Sequence, residues 1–279
     1  MTDDRFSLLL PYYAGDRAEF LRDAFRTSVD EQTRPPNEVV MVRDGPVGDD
    51  LNDAVADLAQ ASTVPLRHIE LDVNDGLANA LTVGLDTCAH EIVARMDADD
   101  LSFPERFARQ LDLLSPGLDL VGSGLVEFHG DLRQTMRKRV PPTGAGIRDY
   151  ARFRSPFNHP TVVYRRAAVR AAGGYLPMGQ MEDYWLWVRM LDAGARTDNI
   201  VEPLLGYRVD SGAYARRGGV RQLQAEFQLQ RGMRRIGFTN RRQFARNLAI
   251  RGTYRLAPTG LRRRSYRMLT RRAAPAGSD

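Results

Sequence analysis

The sequence predicts an α/β fold built on a mostly parallel, doubly wound sheet, with a mixed second half and a basic helical extension at the C-terminus. Three observations carry that prediction. Short apolar runs alternate with helix-period segments four times between Phe6 and Met96. The links between successive runs are too long for hairpins, which leaves crossover connections and parallel pairing. The runs end in Pro11-Tyr12-Tyr13, Asp44-Gly45 and Asp97-Ala98-Asp99-Asp100, and in open sheets of this kind ligands gather beyond those carboxyl ends.

Taken in order, Phe6–Leu10 is a buried strand expected to end at Pro11. A helix follows from about Arg17 to Val29, with Phe20, Leu21, Ala24, Phe25 and Ser28 on one face, and Pro35-Pro36 breaks the chain. Glu38–Val42 is the second strand, and Leu51, Val55, Leu58 and Ala59 mark the second helix. Leu66–Leu71 is the third strand, stopped by Asn74-Asp75-Gly76. Leu77, Leu81, Gly84 and Leu85 mark the third helix, and Ile92–Met96 is the strand that opens into the acidic tetrad. Beyond it, Leu118–Phe128 and Gln134–Val140 read as a hairpin turned near Gly130-Asp131. Asn158-His159-Pro160 is a rigid turn before a strand at Thr161–Tyr164, and Met181–Met190 is a helix. Two short strands, Ile200-Val201 and Leu204–Val209, lead to Arg216-Arg217-Gly218-Gly219, after which the chain to Ala249 is polar and helical.

With 279 residues, 43% hydrophobic and 27% charged, the chain has an ordinary globular composition. Its longest apolar runs fall far short of the roughly 20 residues that a membrane span requires. The acidic start Met1-Thr2-Asp3-Asp4-Arg5 carries no leader pattern, and the single cysteine, Cys88, excludes an internal disulfide. A reducing cytoplasm, at the inner face of the plasma membrane, is the expected location. Neither G-x-G-x-x-G after the first strand nor a P-loop is present, which argues against a dinucleotide cofactor or a P-loop NTPase. The net charge of +5 conceals an asymmetry. From Tyr207 onward 18 arginines face Asp210, Glu226 and Asp279, a net +15, while Met1–Gly206 has 22 basic and 32 acidic residues, a net −10. A boundary near residue 215 separates the expected catalytic domain, 1–215, from the basic extension, 216–279.

The tetrad has no packing motive. Carboxylates are almost never buried unpaired, and three in four residues repel one another unless a cation sits among them. Hard oxygen ligands at a strand's carboxyl end suit Mg²⁺ or Mn²⁺ holding a phosphate ester. The plainer account is an acidic turn capping the helix that begins near Pro104. Glu182-Asp183 is the second acidic signal, at a helix start where it also complements the macrodipole. Gly173, Gly174 and Gly179 precede it closely, and Trp185 and Trp187, the only tryptophans, follow. Core packing accounts for Trp187 better than for Trp185, whose face could meet a sugar ring. A carboxylate beside a substrate hydroxyl can act as general base, typically contributing roughly 10²–10⁴-fold.

The order Pro-x-Tyr, Asp-Gly, Asn-x-Gly, Asp-x-Asp-Asp and Glu-Asp, over roughly residues 6 to 220, resembles the GT-A-fold, family 2 glycosyltransferases. His159–Arg166, Glu182–Tyr184 with Leu186–Arg189, Pro203–Leu205 with Tyr207–Val209, and Arg216–Gly219 resemble the amylovoran-type branch, which builds exopolysaccharide repeat units. The resemblance implies an inverting transfer from a nucleotide-diphospho-sugar, UDP-sugar favoured, to a saccharide or lipid-linked acceptor. Pro11, Tyr13, Asp44, Gly45, Asn74 and Gly76 would line the nucleotide pocket. Asp97 would approach the ribose or the metal, Asp99 would bind the Mn²⁺ or Mg²⁺, and Asp100 would support it. Asp183 would be the general base, oriented by Glu182. His159 and Trp185 would lie on the acceptor side, and Arg216 and Arg217 would contact the leaving diphosphate. Two departures stand out: Ala14 replaces the usual Asn after Pro-x-Tyr, and Trp185 stands where an acidic residue often follows Glu-Asp-Tyr.

Residues 255 to 272 alternate arginines with Leu261, Tyr266, Met268 and Leu269, a pattern suited to an anionic bilayer surface. Nucleic acid is not an expected partner, because no recognition motif accompanies the arginines. The competing readings are a metal-dependent sugar nucleotidyltransferase, which leaves Glu182-Asp183 without a role, and a non-catalytic membrane or nucleic-acid module.

Overall fold

The structure, a computed structural model, describes residues 4–114, 117–209 and 220–256. Arg216, Arg217 and the chain beyond Leu256 lie outside the described residues. The first half is a parallel βα array: β1 (Phe6–Tyr13), α1 (Ala18–Ser28), β2 (Glu38–Asp44), α2 (Asp49–Ala61), β3 (Leu66–Glu70), α3 (Leu77–Thr87) and β4 (Ile92–Arg95). The strands lie in the order β3-β2-β1-β4, all parallel. The near-continuous apolar runs of β1, β2 and β4 follow from helices covering both faces. Phe6, Leu8, Leu10 and Tyr12 pack in one cluster with Leu21, Ala24 and Phe25 of α1 and Leu51 and Val55 of α2. Each such buried large side chain contributes about 1.5–3 kcal/mol. The opposite face meets α3 at Gly84, where a Cβ would lie 2.8 Å from Val42; the glycine lets helix and sheet approach.

Past β4 the direction of pairing changes. The elements are β5 (Leu101–Ser102), α4 (Arg106–Leu114), β6 (Leu120–His129), β7 (Asp131–Arg139), α5 (Gly146–Ala151), β8 (Val163–Arg165), α6 (Arg166–Ala171), α7 (Glu182–Asp192) and β9 (Thr197–Arg208). β8 runs antiparallel to both β4 and β6, while β6 and β9 pair in parallel. β5 joins the far side of β9 and β7 flanks β6, both antiparallel. The parallel array thus ends at β4, and the acidic tetrad leaves the sheet there.

Three local expectations are corrected. β1 continues through Pro11 to Tyr13, because its pairing with β4 has ended at Leu9 and no strand on that side needs the missing N–H. The expected strand at Thr161–Tyr164 starts later, at Val163, because His159–Thr161 forms a 3₁₀ turn around Pro160. The two strands expected around residues 200–209 are one, β9, with register shifts between Ser123 and Gly124 and between Gly124 and Val126 that absorb Pro203.

The chain divides into two units: residues up to Pro177 with Glu182–Val209, and Met178–Met181 with the chain from Asp210 onward. In the smaller unit, α8 (Val220–Arg235) and α9 (Arg241–Leu256) form a helical hairpin. Gln222, Ala225, Glu226, Leu229, Gln230 and Met233 are buried at helical spacing. Glu226 accepts hydrogen bonds from Arg251 at 3.0 Å and Gln230 at 3.0 Å, and Asn247 donates to Gln230 at 2.9 Å. No described helix is long and apolar enough to cross a membrane.

Candidate active site

The site begins with the way β4 ends. Arg95 is the last residue of a strand otherwise made of Ile, Val and Ala, and only 1% of it is exposed. A buried guanidinium needs a counter-charge, and Arg95 pairs with the carboxylate of Asp97. Its Nε and Nη1 have no hydrogen-bond partner. Arg106, itself buried, donates to the carbonyl of Arg95 at 2.6 Å and fixes the strand end from behind. Burial, with Arg95 nearby, lowers the Arg106 guanidinium to about 9.

Asp97, Asp99 and Asp100 each offer an oxygen, and these lie within 4.8 Å of one another. Burial, then the charges of Asp97 and Asp16, raise Asp99 to about 7. Asp100 is fully buried and held well above the usual carboxylate range by burial, then by Asp99 and Asp97. Its Oδ1 accepts the main-chain N–H of Arg208 at 2.9 Å, and its Oδ2 is buried without a partner. A bare buried oxygen inside a set of mutually repelling carboxylates is a donor set that fits a hard divalent cation. A fourth carboxylate borders it. Asp16 accepts the N–H of Tyr13 at 2.9 Å, and burial, with Asp97 nearby, raises it to about 6.

The neighbouring strand end is built by Asp44. Its two oxygens accept the N–H groups of Asp75 at 3.0 Å and Gly76 at 3.1 Å, while Asn74 donates back to its carbonyl at 3.0 Å. One carboxylate therefore shapes the whole loop before α3. Gly45 is obligatory here: its φ is +81°, and a Cβ would lie 2.5 Å from the Asn74 nitrogen. Tyr13 sits beside Asp44 in the sheet register and is 49% exposed, whereas Pro11 is buried in β1. Asp44, Gly45, Asn74 and Gly76 are thus grouped, with Tyr13 at their edge.

The second acidic pair opens α7. Glu182 and Asp183 are half-buried. Burial, then the charge of Glu182, raise Asp183 to about 7, with Arg95 opposing the rise. His159 lies 3.3 Å from the hydroxyl of Tyr175, and its ring is 5.8 Å edge-on from Trp187. Burial, then Arg95, hold His159 well below its ordinary value, so the imidazole is neutral. Trp185 is only 8% exposed and carries Arg189 over its ring at 5.4 Å. Trp187 is the tryptophan that meets His159.

Sequence reasoning missed Arg95, Arg208, Asp16 and Tyr175. Arg95 had a signal, an arginine inside a run of buried apolar residues, because such a position is tolerated only with a built-in partner. Its field reaches Asp99, Asp100, Asp183 and His159, so this one buried cation links the two acidic groups. Arg216 and Arg217 lie outside the described residues.

Comparison with known proteins gives the same direction. Residues 7–172 match the family described as Glycosyl transferase family 2. The chain is 38% identical over 240 residues to the amylovoran biosynthesis glycosyltransferase AmsE of Erwinia amylovora, covering 84% of this chain and 88% of that one. It is 33% identical over 279 residues to an Escherichia coli UDP-Gal:alpha-D-GlcNAc-diphosphoundecaprenol beta-1,3-galactosyltransferase, covering 98% and 99%. Among solved structures, the mannosyltransferase PcManGT of Pyrobaculum calidifontis, in complex with GDP-Man and Mn²⁺, superimposes with a TM-score of 0.62 at 21% identity, covering 99% of this chain and 76% of that one. The chain is a glycosyltransferase with a GT-A fold and belongs to family 2.

Proposed function

We propose that this glycosyltransferase moves a sugar from a nucleoside-diphosphate donor, a UDP-sugar by preference, to a hydroxyl of a lipid-linked or polysaccharide precursor in envelope or exopolysaccharide synthesis, with inversion at the anomeric carbon. The carrying observation is the pair of acidic groups, Asp97-Asp99-Asp100 and Glu182-Asp183, that share the field of Arg95. A divalent ion, Mn²⁺ or Mg²⁺, held by Asp99 and Asp97 would neutralise charge developing on the leaving diphosphate.

The protein's own groups do the rest. Pro11, Tyr13, Asp44, Gly45, Asn74 and Gly76 bind the nucleotide. Arg95 fixes Asp97 and keeps its charge beside the reacting centre. Asp183, at about 7, is poised to accept the acceptor's proton at neutral pH. Glu182 orients it and sets its proton affinity. Neutral His159 and Trp185 face the acceptor, and Arg216 and Arg217 attend the leaving diphosphate. One displacement assisted by one base, with no carboxylate nucleophile, inverts the anomeric centre. The UDP donor and lipid-linked acceptor gain support from the E. coli relative, and the divalent ion from the Mn²⁺ complex. The enzyme works at the cytoplasmic membrane face, which the basic C-terminus contacts.

Thermal stabilisation by UDP, GDP, dTDP and their sugars, with and without Mn²⁺, tests the reading. A UDP-selective, Mn²⁺-dependent shift that Asp99→Asn abolishes is expected, and NMR of the product should show the opposite anomer from the donor. No shift with any nucleotide, or retention, overturns it.

A further inference from the structure

We propose, resting on the function given above, that Arg208 is a positioning residue for the transfer: from the end of β9 it holds the Asp97–Asp100 loop in the form that receives a divalent ion and the nucleoside diphosphate. Its Nε donates to the carbonyl of Asp99 at 2.8 Å, and its main-chain N–H donates to Oδ1 of Asp100 at 2.9 Å. The guanidinium lies 3.9 Å from the ring centroid of Phe20 on α1 and 4.8 Å from that of Phe128 on β6. Asp23 of α1 is 3.8 Å away, and the side chain is only 11% exposed.

Two elements, α1 and β6, therefore grip one cation carried by β9, and the cation grips the loop. Two aromatic faces remove water and alternative rotamers from the guanidinium. A charge-assisted bond onto a main-chain carbonyl is then short and stiff. The loop needs such a tether, because its three carboxylates repel one another and relax apart if the backbone can move. The two bonds are separable by mutation. A side-chain substitution releases the Asp99 carbonyl and leaves the main-chain bond to Asp100 in place. Partners that orient ligands without touching the metal typically matter 10–100-fold in metal affinity.

The test uses full-length Arg208→Met and Arg208→Lys. Mn²⁺ binding in the presence of UDP is followed by loss of the free-ion EPR signal, and the unliganded unfolding midpoint is measured alongside. Arg208→Met is expected to weaken Mn²⁺ binding about tenfold, with Arg208→Lys recovering part through its ammonium. If Arg208→Met does not fold, Phe20→Leu loosens the stack while keeping the guanidinium, with about a threefold loss expected, below that range because both hydrogen bonds to the loop remain. Variants that bind Mn²⁺ and UDP like the wild type, even with a lowered midpoint, overturn the proposal and leave the glycosyltransferase reading intact. A wild type that binds no Mn²⁺ with UDP overturns the metal reading itself, and this role of Arg208 with it.

Discussion

Glu182→Gln should move the acidic limb of the pH–rate profile to lower pH. In the proposed mechanism Asp183 acts only when deprotonated, and the Glu182 charge is the largest contribution to its raised pKa after burial. At an effective dielectric of about 20, like charges on neighbouring side chains repel by on the order of 2 kcal/mol. Both groups are half-buried, so solvent screening reduces this to about 1.4 kcal/mol, or about one pK unit. The sign follows directly: removing a neighbouring negative charge makes ionisation easier, so the pKa falls from about 7 towards roughly 6. At pH 6 about one carboxylate in eleven is ionised in the wild type and about half in the variant, a gain of roughly fivefold. At pH 8.5 both are ionised and no gain remains, so the ratio of the two rates is insensitive to any loss of plateau activity. The assay is UDP release from the UDP-sugar that the thermal-shift screen selects, with the proposed lipid-linked acceptor, from pH 5.5 to 8.5, at saturating Mn²⁺ so that Asp99 stays ionised. A limb that stays in place, or moves upward, refutes the assignment of Asp183 as base and Glu182 as its electrostatic neighbour.

Asp183→Asn should lower turnover by about 10²–10⁴-fold while UDP and Mn²⁺ still stabilise the protein in thermal shift. Stabilisation by Mn²⁺ with UDP should be larger at pH 7.5 than at pH 5.5, because Asp99 and Asp16, raised to about 7 and about 6, must lose protons before they serve a cation. Arg95→Met should destabilise the protein by about 2–4 kcal/mol in denaturant unfolding, since it leaves Asp97 without its partner. Gly45→Ala should weaken UDP binding in titration calorimetry, because the added Cβ collides with Asn74 in a backbone conformation that disfavours side chains. Replacing Arg231, Arg235, Arg242 and Arg246 by Gln should reduce flotation with phosphatidylglycerol vesicles at least about tenfold, at roughly 1 kcal/mol per arginine near an anionic surface.

The parallel half was legible because β1, β2 and β4 are apolar on both faces, a pattern that survives without any tertiary knowledge. The tetrad and Glu182-Asp183 were legible for the opposite reason, carboxylates where packing gives no motive for them. What failed to show was pairing over distance. Arg95 explains nothing until the His159 turn is brought against β4 and Asp183 of α7 comes within its field, and Arg208 acts on a loop more than a hundred residues earlier in the chain. Local rules also misread backbone continuity at Pro11 and Pro203, where the neighbouring strand, not the proline, decides whether pairing continues. The two tryptophans show the same limit: their spacing could not reveal that Trp187 meets His159 while Trp185 lies under Arg189. Membership of family 2 leaves the nucleotidyltransferase alternative without support.

Glu226 is the one carboxylate between Val220 and Leu256, and the hairpin buries it against Arg251 and Gln230. The titratable groups exposed on α8 and the described part of α9 are consequently arginines, which stay protonated at any pH a cell reaches. That face behaves as a fixed charge plate. Acidification will not switch it on or off, but ionic strength will, because at about 0.15 M salt its field decays over roughly 8 Å. An anionic partner would have to come nearly into contact before being held, and a modest rise in salt would release it.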